Sequence, residues 1–555
     1  MNFRSVLAGL CAVAVGGFAN FGTARADTPK PVPLQILAIN DFHGHLEPPN
    51  GASGRVDGVL AGGAEYLAAH LDRARHGQKH TITVSAGDDI GGSPLISGLF
   101  HDEPTLEAFD LMKVEISAVG NHEFDQGPVE LLRLAHGGCP ATGACPKKPW
   151  KGIKMTYLGA NVRDTTTGKP LFPPSTIRTY GGVPVAFIGL TLKETPSIVI
   201  KKGTAGLTFS AEVDAINQEV ATLKTNPGVH AFVVLLHQGD TVRGGDVNSC
   251  NGLSGPLAGI VARLDKDVDL VLSAHSHQNY VCQIAGKPVS QSGSFGTVFA
   301  DIRTTLDPGT RDFSSIAITN NIVTRDIDPS GKMTKLVDKW RQQSELLGRD
   351  FVGRIAIDVT RTPNAVGESA LGDLVADAQL AAAKTAVSDL PRLAITNPGG
   401  LRTDLSFVGP RAVRPVGELT YGEVFATQPF QNPLVTVTLT GADLKAAFEQ
   451  QFDNPATGKV RILQVSGNVK ERVDPKQAVG ARVLSLTVDN QEVVAASRYR
   501  VTMNGFLEGG GDAFTALTKG TDRAEQGTDL GALVDYLRGL TGPYNPPPLN
   551  RVTRP

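Results

Sequence analysis

The stretch LQILAINDFH, residues 34–43, decides the fold. It reads as a buried strand that runs straight into a carboxylate, Asp41, and an imidazole, His43. Four further apolar runs end in the same way. TITVSAG (81–87) runs into Asp88, and ISAVG (116–120) into Asn121-His122-Glu123-Phe124-Asp125. AFVVLL (231–236) runs into His237, and VDLVLSA (268–274) into His275-Ser276-His277. Helical periodicity fills the gaps at 64–76, 105–113 and 211–225. This alternation predicts a layered α/β domain. The strand ends of such a sheet share one edge, where ligands bind. Asp41, His43, Asp88, Asn121, His237, His275 and His277 would meet there, and they exceed what one ion needs. The expectation is a hydrolytic centre with two divalent metal ions. Any one of these histidines alone would be read as a surface or hydrogen-bonded residue; the repetition at strand ends carries the reading.

With 555 residues the chain is too long for one core, so two large domains are expected. Hydrophobic content of 41% and charged content of 19% fit a globular protein, and a formal net charge of −2 gives no pull toward nucleic acid polymers or anionic membranes. Residues 1–26 read as a secretory signal peptide: Arg4, an apolar stretch over 6–18, and the Ala24-Arg25-Ala26 cleavage site, leaving Asp27 as the mature start. No later segment is long and apolar enough to span a bilayer. The mature protein is therefore expected to be periplasmic or secreted. Cys139, Cys145, Cys250 and Cys282 remain after cleavage. Four cysteines allow three pairings. Cys139–Cys145 and Cys250–Cys282 are preferred over a thiolate metal site, because no C-x-x-C spacing is present.

The first domain is placed at 31–328, closed by two β segments within 276–301. An amphipathic helix at 333–350 falls in a linker over 329–350. A second α/β domain covers 351–530, with a long helix at 369–385, a strand into Asn397-Pro-Gly-Gly-Leu-Arg402 and a strand–turn–helix unit at 434–450. The tail, 531–555, turns proline-rich after Gly542 and reads as extended.

Asp41-x-His43, Gly87-Asp88, Gly120-Asn-His-Glu-Phe-Asp125, His237 and His275-x-His277 together resemble the calcineurin-like metallophosphoesterase signature. Over nearly the whole mature chain the sequence resembles the 5′-nucleotidase/UDP-sugar hydrolase family. That resemblance implies an αββα sandwich followed by a smaller α/β nucleotide-binding domain. It implies one ion on Asp41, His43, Asp88 and His277 and another on Asp88, Asn121, His237 and His275, with a shared hydroxide as attacking group. Zinc, manganese or similar ions suit such N/O ligands. It further implies that His122 is catalytic, oriented by Asp125. Asp89 stands beside Asp88, which is preferred as the bridge because it directly follows Gly87.

The second domain carries the family's N-x-G-G-[IL]-R loop, which implies substrate-binding roles for Asn397 (the base) and Arg402 (phosphate). Phe430 and Phe506 match the two aromatics that sandwich the base, and Asp512 the acceptor for a ribose hydroxyl. The chain departs from the family at Gly367, where relatives commonly carry arginine; Arg361 and Arg402 are the nearest replacements. The implied activity is hydrolysis of nucleoside 5′-monophosphates. The alternatives on the same centre are 2′,3′-cyclic-nucleotide phosphodiesterase/3′-nucleotidase and UDP-sugar pyrophosphatase. A non-catalytic nucleotide-binding protein is the competitor from another class, and the complete donor set argues against it.

Overall fold

The structure is a computed structural model describing residues 30–555 except 50, 141–144, 146–147, 227, 384–389, 391, 410–413 and 455–457. The leader expected at 1–26 lies outside the described residues.

Two six-stranded sheets make the first domain. In one, Val32–Ile39, Thr81–Ser85, Val114–Ala118 and Thr156–Leu158 run parallel, and Val298–Asp307 and Asp312–Ile322 add an antiparallel edge. In the other, Val183–Thr191, Ala231–His237, Leu270–Ser273 and Lys287–Ser292 run parallel between two antiparallel outer strands. The sheets face each other across an apolar layer that includes Ile36, Val84 and Ile116 from one and Phe187, Val233 and Leu272 from the other. Helices Ala64–Arg75 and Glu103–Met112 cover the outside of the first sheet, and Glu212–Leu223 and Leu257–Val261 the outside of the second. Strands buried on both faces need continuous apolar sequence, which explains the unbroken runs at 36–39 and 231–236; the buried Gln35 is satisfied by donating to Ala74 O and Asp301. The result is the expected αββα sandwich.

Details differ from expectation. Segment 276–301 holds two complete strands, Asn279–Ile284 and Lys287–Ser292, and the start of a third, Val298–Asp307. The first two form a hairpin through Ala285-Gly286, both at positive φ. The second helix begins at Glu103, two residues early, because Pro104 suits a first helical turn.

Helix Gly331–Gly348 lies on the first domain against Ala64–Arg75 and Glu103–Met112, and its end touches Tyr421–Thr427 of the second. The second domain is a five-stranded mixed sheet, ordered Gln464–Val465, Arg392–Thr396, Arg498–Asn504, Pro433–Thr440, Thr521–Thr528, with helices Ala370–Ala383, Gly441–Glu449 and Asp529–Arg538 around it. The tail is docked: Val552–Thr553 pairs with Val469–Val473, and Arg551 grips the Asp377 carboxylate with both terminal nitrogens. Both disulfides take the preferred pairing, Cys139–Cys145 and Cys250–Cys282. No helix of the described residues is long and apolar enough to cross a membrane.

Candidate active site

Ile39, Ser85, Ala118, His237 and Ser273 close their strands on one edge of the sandwich, so the loops that follow converge there. Asp88 sits at the centre. Its Oδ2 is 3.1 Å from His237 Nε2 and 3.6 Å from His43 Nε2. His43 Nε2 lies 3.2 Å from His277 Nε2, which is 3.4 Å from Asp41 Oδ1. On the other side His237 Nε2 is 3.2 Å from Asn121 Oδ1. Two donor sets result, Asp41/His43/His277 and Asp88/His237/His275, and a third, His43/Asp88/His122, overlaps both; within each, the donor atoms lie within 4.8 Å of one another. Asp89 points elsewhere: its carboxylate accepts from Ser85 and Ser117.

The surroundings aim these groups. His43 Nδ1–H donates to Gly91 O and His237 Nδ1–H to Ala86 O, each at 2.8 Å, which turns each Nε2 toward the centre. Asp41 accepts from Asn40 and from the backbone N–H of His275. Asp41, His43, Asp88, His275 and His277 all hold φ between 47° and 70°. Left-handed backbone is costly for such residues and clusters at functional sites. Crowding also explains Gly120, where a Cβ would fall 2.2 Å from Asp88 Oδ1.

The electrostatics are those of a site built for cations. Burial pushes Asp88 up, but His237, His122 and His43 hold it well below the usual carboxylate range. Burial pushes His237 down, yet the Asp88 charge and hydrogen bond lift it to about 10. Burial, reinforced by the charge of His237, takes His275 down to about 3. Without a cation His237 is thus held protonated against Asp88, while His275 and His43 are held neutral; a divalent ion on His237 would take the place of that proton.

His122, a member of the third donor set, borders the cleft. Its Nδ1–H donates to Asp125 Oδ2 at 2.9 Å, and its backbone N–H donates to Asp88 Oδ1 at 2.8 Å. Burial lowers its pKa, but Asp125 and Asp88 outweigh this and raise it above the ordinary imidazole value.

Asn121, His122, Asp125 and His275 form one end of a cleft of about 250 Å³. Asn397, Arg402, Phe430, Phe506 and Asp512, from the second domain, line the rest. The Phe430 ring stacks on His122 at 5.5 Å and 12°, and the Arg402 guanidinium lies over Phe430 and 3.4 Å from His43 Nε2. Asn397 donates to Asp512 Oδ2 and accepts from Asn504. Arg361 does not line the cleft; it donates to Leu401 O and Ser53 Oγ.

The cleft also holds residues that the sequence alone does not single out: Arg461, Asn432, Asn504 and the apolar Ile198-Val199-Ile200 wall. Glu123 is another. Its carboxylate accepts the backbone N–H groups of Asp88, Asp89 and Gly120 at 2.6–3.0 Å, clamping two donor loops together. Its place inside the GNHEFD run is the available signal.

Residues 34–279 match the calcineurin-like phosphoesterase family, and residues 351–519 match the 5′-nucleotidase C-terminal domain. Cell wall protein Lmo0130 of Listeria monocytogenes is 34% identical, across 93% of this chain and 68% of its own length. The chain belongs to the 5′-nucleotidase family. Endonuclease YhcR of Bacillus subtilis is 30% identical across 92% of the chain, which spans only 40% of that longer protein. A 5′-nucleotidase precursor from Thermus thermophilus superposes with a TM-score of 0.77 at 25% identity, covering 94% of this chain and 99% of that one. As a 5′-nucleotidase-family metallophosphoesterase, the protein is a phosphoric ester hydrolase. The fold implies divalent cations, and the clustered imidazole, carboxylate and amide donors are chemically suited to them.

Proposed function

We propose that this chain hydrolyses nucleoside 5′-monophosphates to nucleoside and phosphate, outside the cytoplasm. The observation that carries the reading is the single cleft running from the clustered donors to the two phenylalanines of the second domain. Asp41, His43, Asp88 and His277 would hold one cation, and Asp88, Asn121, His237 and His275 the other. When bound, two divalent ions such as zinc or manganese supply Lewis acidity and make hydroxide available near neutral pH. Arg402 forks onto the phosphate. His122, oriented by Asp125, gives its Nε2 proton to the leaving 5′-oxygen as the P–O bond breaks. Phe430 and Phe506 flank the base, and Asp512, steadied by Asn397, accepts from the ribose. The leader-like residues 1–26 and the cell-wall relative support a periplasmic or secreted location.

A substrate panel of AMP, 2′,3′-cyclic AMP and UDP-glucose, run with metal analysis on purified protein, tests this. AMP turnover that disappears with a strong chelator and returns with two equivalents of cation is the expected result. Preference for the cyclic diester or the UDP-sugar would replace the substrate assignment. Hydrolysis that survives chelation would end it.

A further inference from the structure

Gly367 explains why no arginine enters the cleft from that turn. Its φ is +98°, and a Cβ there would lie 2.5 Å from Ile462 Cγ1. Ile462 is buried, and Gln464 ties the two segments together by donating to Gly367 O and accepting from Ser369 N–H. The residue before Ile462 is Arg461, whose side chain forms part of the cleft wall beside Asp512 and Phe506. Arg461 Nη1 stands 2.5 Å from Asp512 Oδ1, an ion pair by distance, yet no N–H on Nη1 is aligned on an acceptor among the described residues. Asp512 is itself fixed, by Asn397 on Oδ2 and by Asn454 on its carbonyl. Nη1 is thus shut against Asp512 and anchors the guanidinium, while Nε and Nη2, the other edge of the fork, donate to nothing among the described residues.

A guanidinium fork suits two adjacent acceptors. A second phosphate would meet the Asp512 carboxylate as well as the guanidinium, and the two charges largely cancel. A neutral acceptor edge suffers no such opposition. Guanine and hypoxanthine present O6 and N7 side by side, whereas adenine puts an N6 amino donor where O6 would be. We propose that Arg461 reads the base, so that the cleft prefers 6-oxopurine nucleotides over adenine nucleotides. This rests on the nucleotide reading above.

The test compares kcat/KM for GMP, IMP and AMP on the full-length, cation-loaded protein. GMP and IMP should exceed AMP by roughly tenfold to a hundredfold. Arg461→Met should bring the ratio near one, and Arg461→Lys, which keeps a point charge without the fork, should retain part of it. Calorimetric binding of guanosine and adenosine to chelated protein should show the same order without turnover. Thermal unfolding establishes that each variant is folded; if Arg461→Met is not, the wild-type ratio and Arg461→Lys decide. Equal GMP and AMP constants in the wild type overturn the proposal. So does an equal fall for all three nucleotides in Arg461→Met, which makes Arg461 a strut. A preference for a nucleoside 3′,5′-bisphosphate that vanishes in Arg461→Met also overturns it, in favour of a second anion. Hydrolysis of p-nitrophenyl phosphate but of no nucleotide would remove the nucleotide reading itself, and this inference with it.

Discussion

Asp88 Oδ2 lies 3.1 Å from His237 Nε2, and the same oxygen faces His43 from the other side of the cluster. One carboxylate thereby belongs to the Asp88/His237/His275 group and also meets His43 of the other. Replacing it with an amide removes the negative charge that two cations would share. Asp88→Asn is expected to lower turnover by more than about a hundredfold, beyond the loss usual for a residue that only supports a ligand. Initial rates and metal content measured together check this; full activity in the variant contradicts the shared-carboxylate assignment.

His122 makes a different kind of contact. Asp125 fixes its Nδ1, and the ring borders the cleft rather than lying beneath it. His122→Ala should keep two equivalents of cation while kcat falls roughly 10²–10⁴-fold, the range for general acid–base help. Stopped-flow single turnovers would place the loss on the chemical step. Unchanged turnover leaves His122 as a brace for Asn121.

Phe430 and Phe506 should act on nucleotide affinity. Base–aromatic stacking is worth about 1–3 kcal/mol per base. The double variant Phe430→Ala/Phe506→Ala is therefore expected to raise KM for nucleotides far more than for p-nitrophenyl phosphate, which has no base. Phe430 also stacks on His122, so the comparison of the two substrates separates lost stacking from a displaced imidazole. Equal effects on both would mean that the rings only pack.

The sandwich is legible because buried strands write themselves as apolar runs, and because the donors sit where those runs stop. Asp88 is separable from Asp89 by its glycine, and the structure turns Asp89 onto Ser85 and Ser117. In the second domain the long helix and the strand–turn–helix unit at 434–450 are legible from pattern, and the cleft residues through short motifs. Arg461 carries no local signal: its meaning depends on Ile462 filling the space above Gly367, a contact between residues 95 apart in sequence. The division of 276–301 is hidden because the Ala285-Gly286 turn lacks the asparagine or aspartate that usually marks a hairpin. Glu123 escapes notice because a carboxylate in a metal motif invites a search for ligands, whereas this one serves backbone N–H groups.

Away from the cleft, Glu130 gives a pH prediction. Burial pushes its carboxyl up, but hydrogen bonds from His101 and Arg133 win and hold it at about 2. A carboxylate depressed on folding stabilises the native state above its unfolded pKa, and that stability drains away as pH falls toward the folded value. The melting temperature should therefore drop between about pH 4.5 and pH 2, and Glu130→Gln should flatten that part of the profile. A variant curve parallel to the wild type would show that the cluster contributes nothing to acid stability.

Glu123 carries the last prediction. Three backbone N–H groups from two loops converge on a carboxylate that is 2% exposed and makes no ion pair among the described residues. Glutamine has the same shape but turns one acceptor into a donor, which would point at an N–H. The lost bonds should cost about 1–3 kcal/mol of stability. If the clamp also sets the spacing between Asp88 and Asn121, cation affinity should fall by roughly 10–100-fold, the usual cost of losing an outer support. Unfolding of chelated protein reads the first effect and cation titration reads the second. A lower melting temperature with unchanged cation affinity would reduce Glu123 to a fold-stabilising residue, because a clamp that positions the donors must move both.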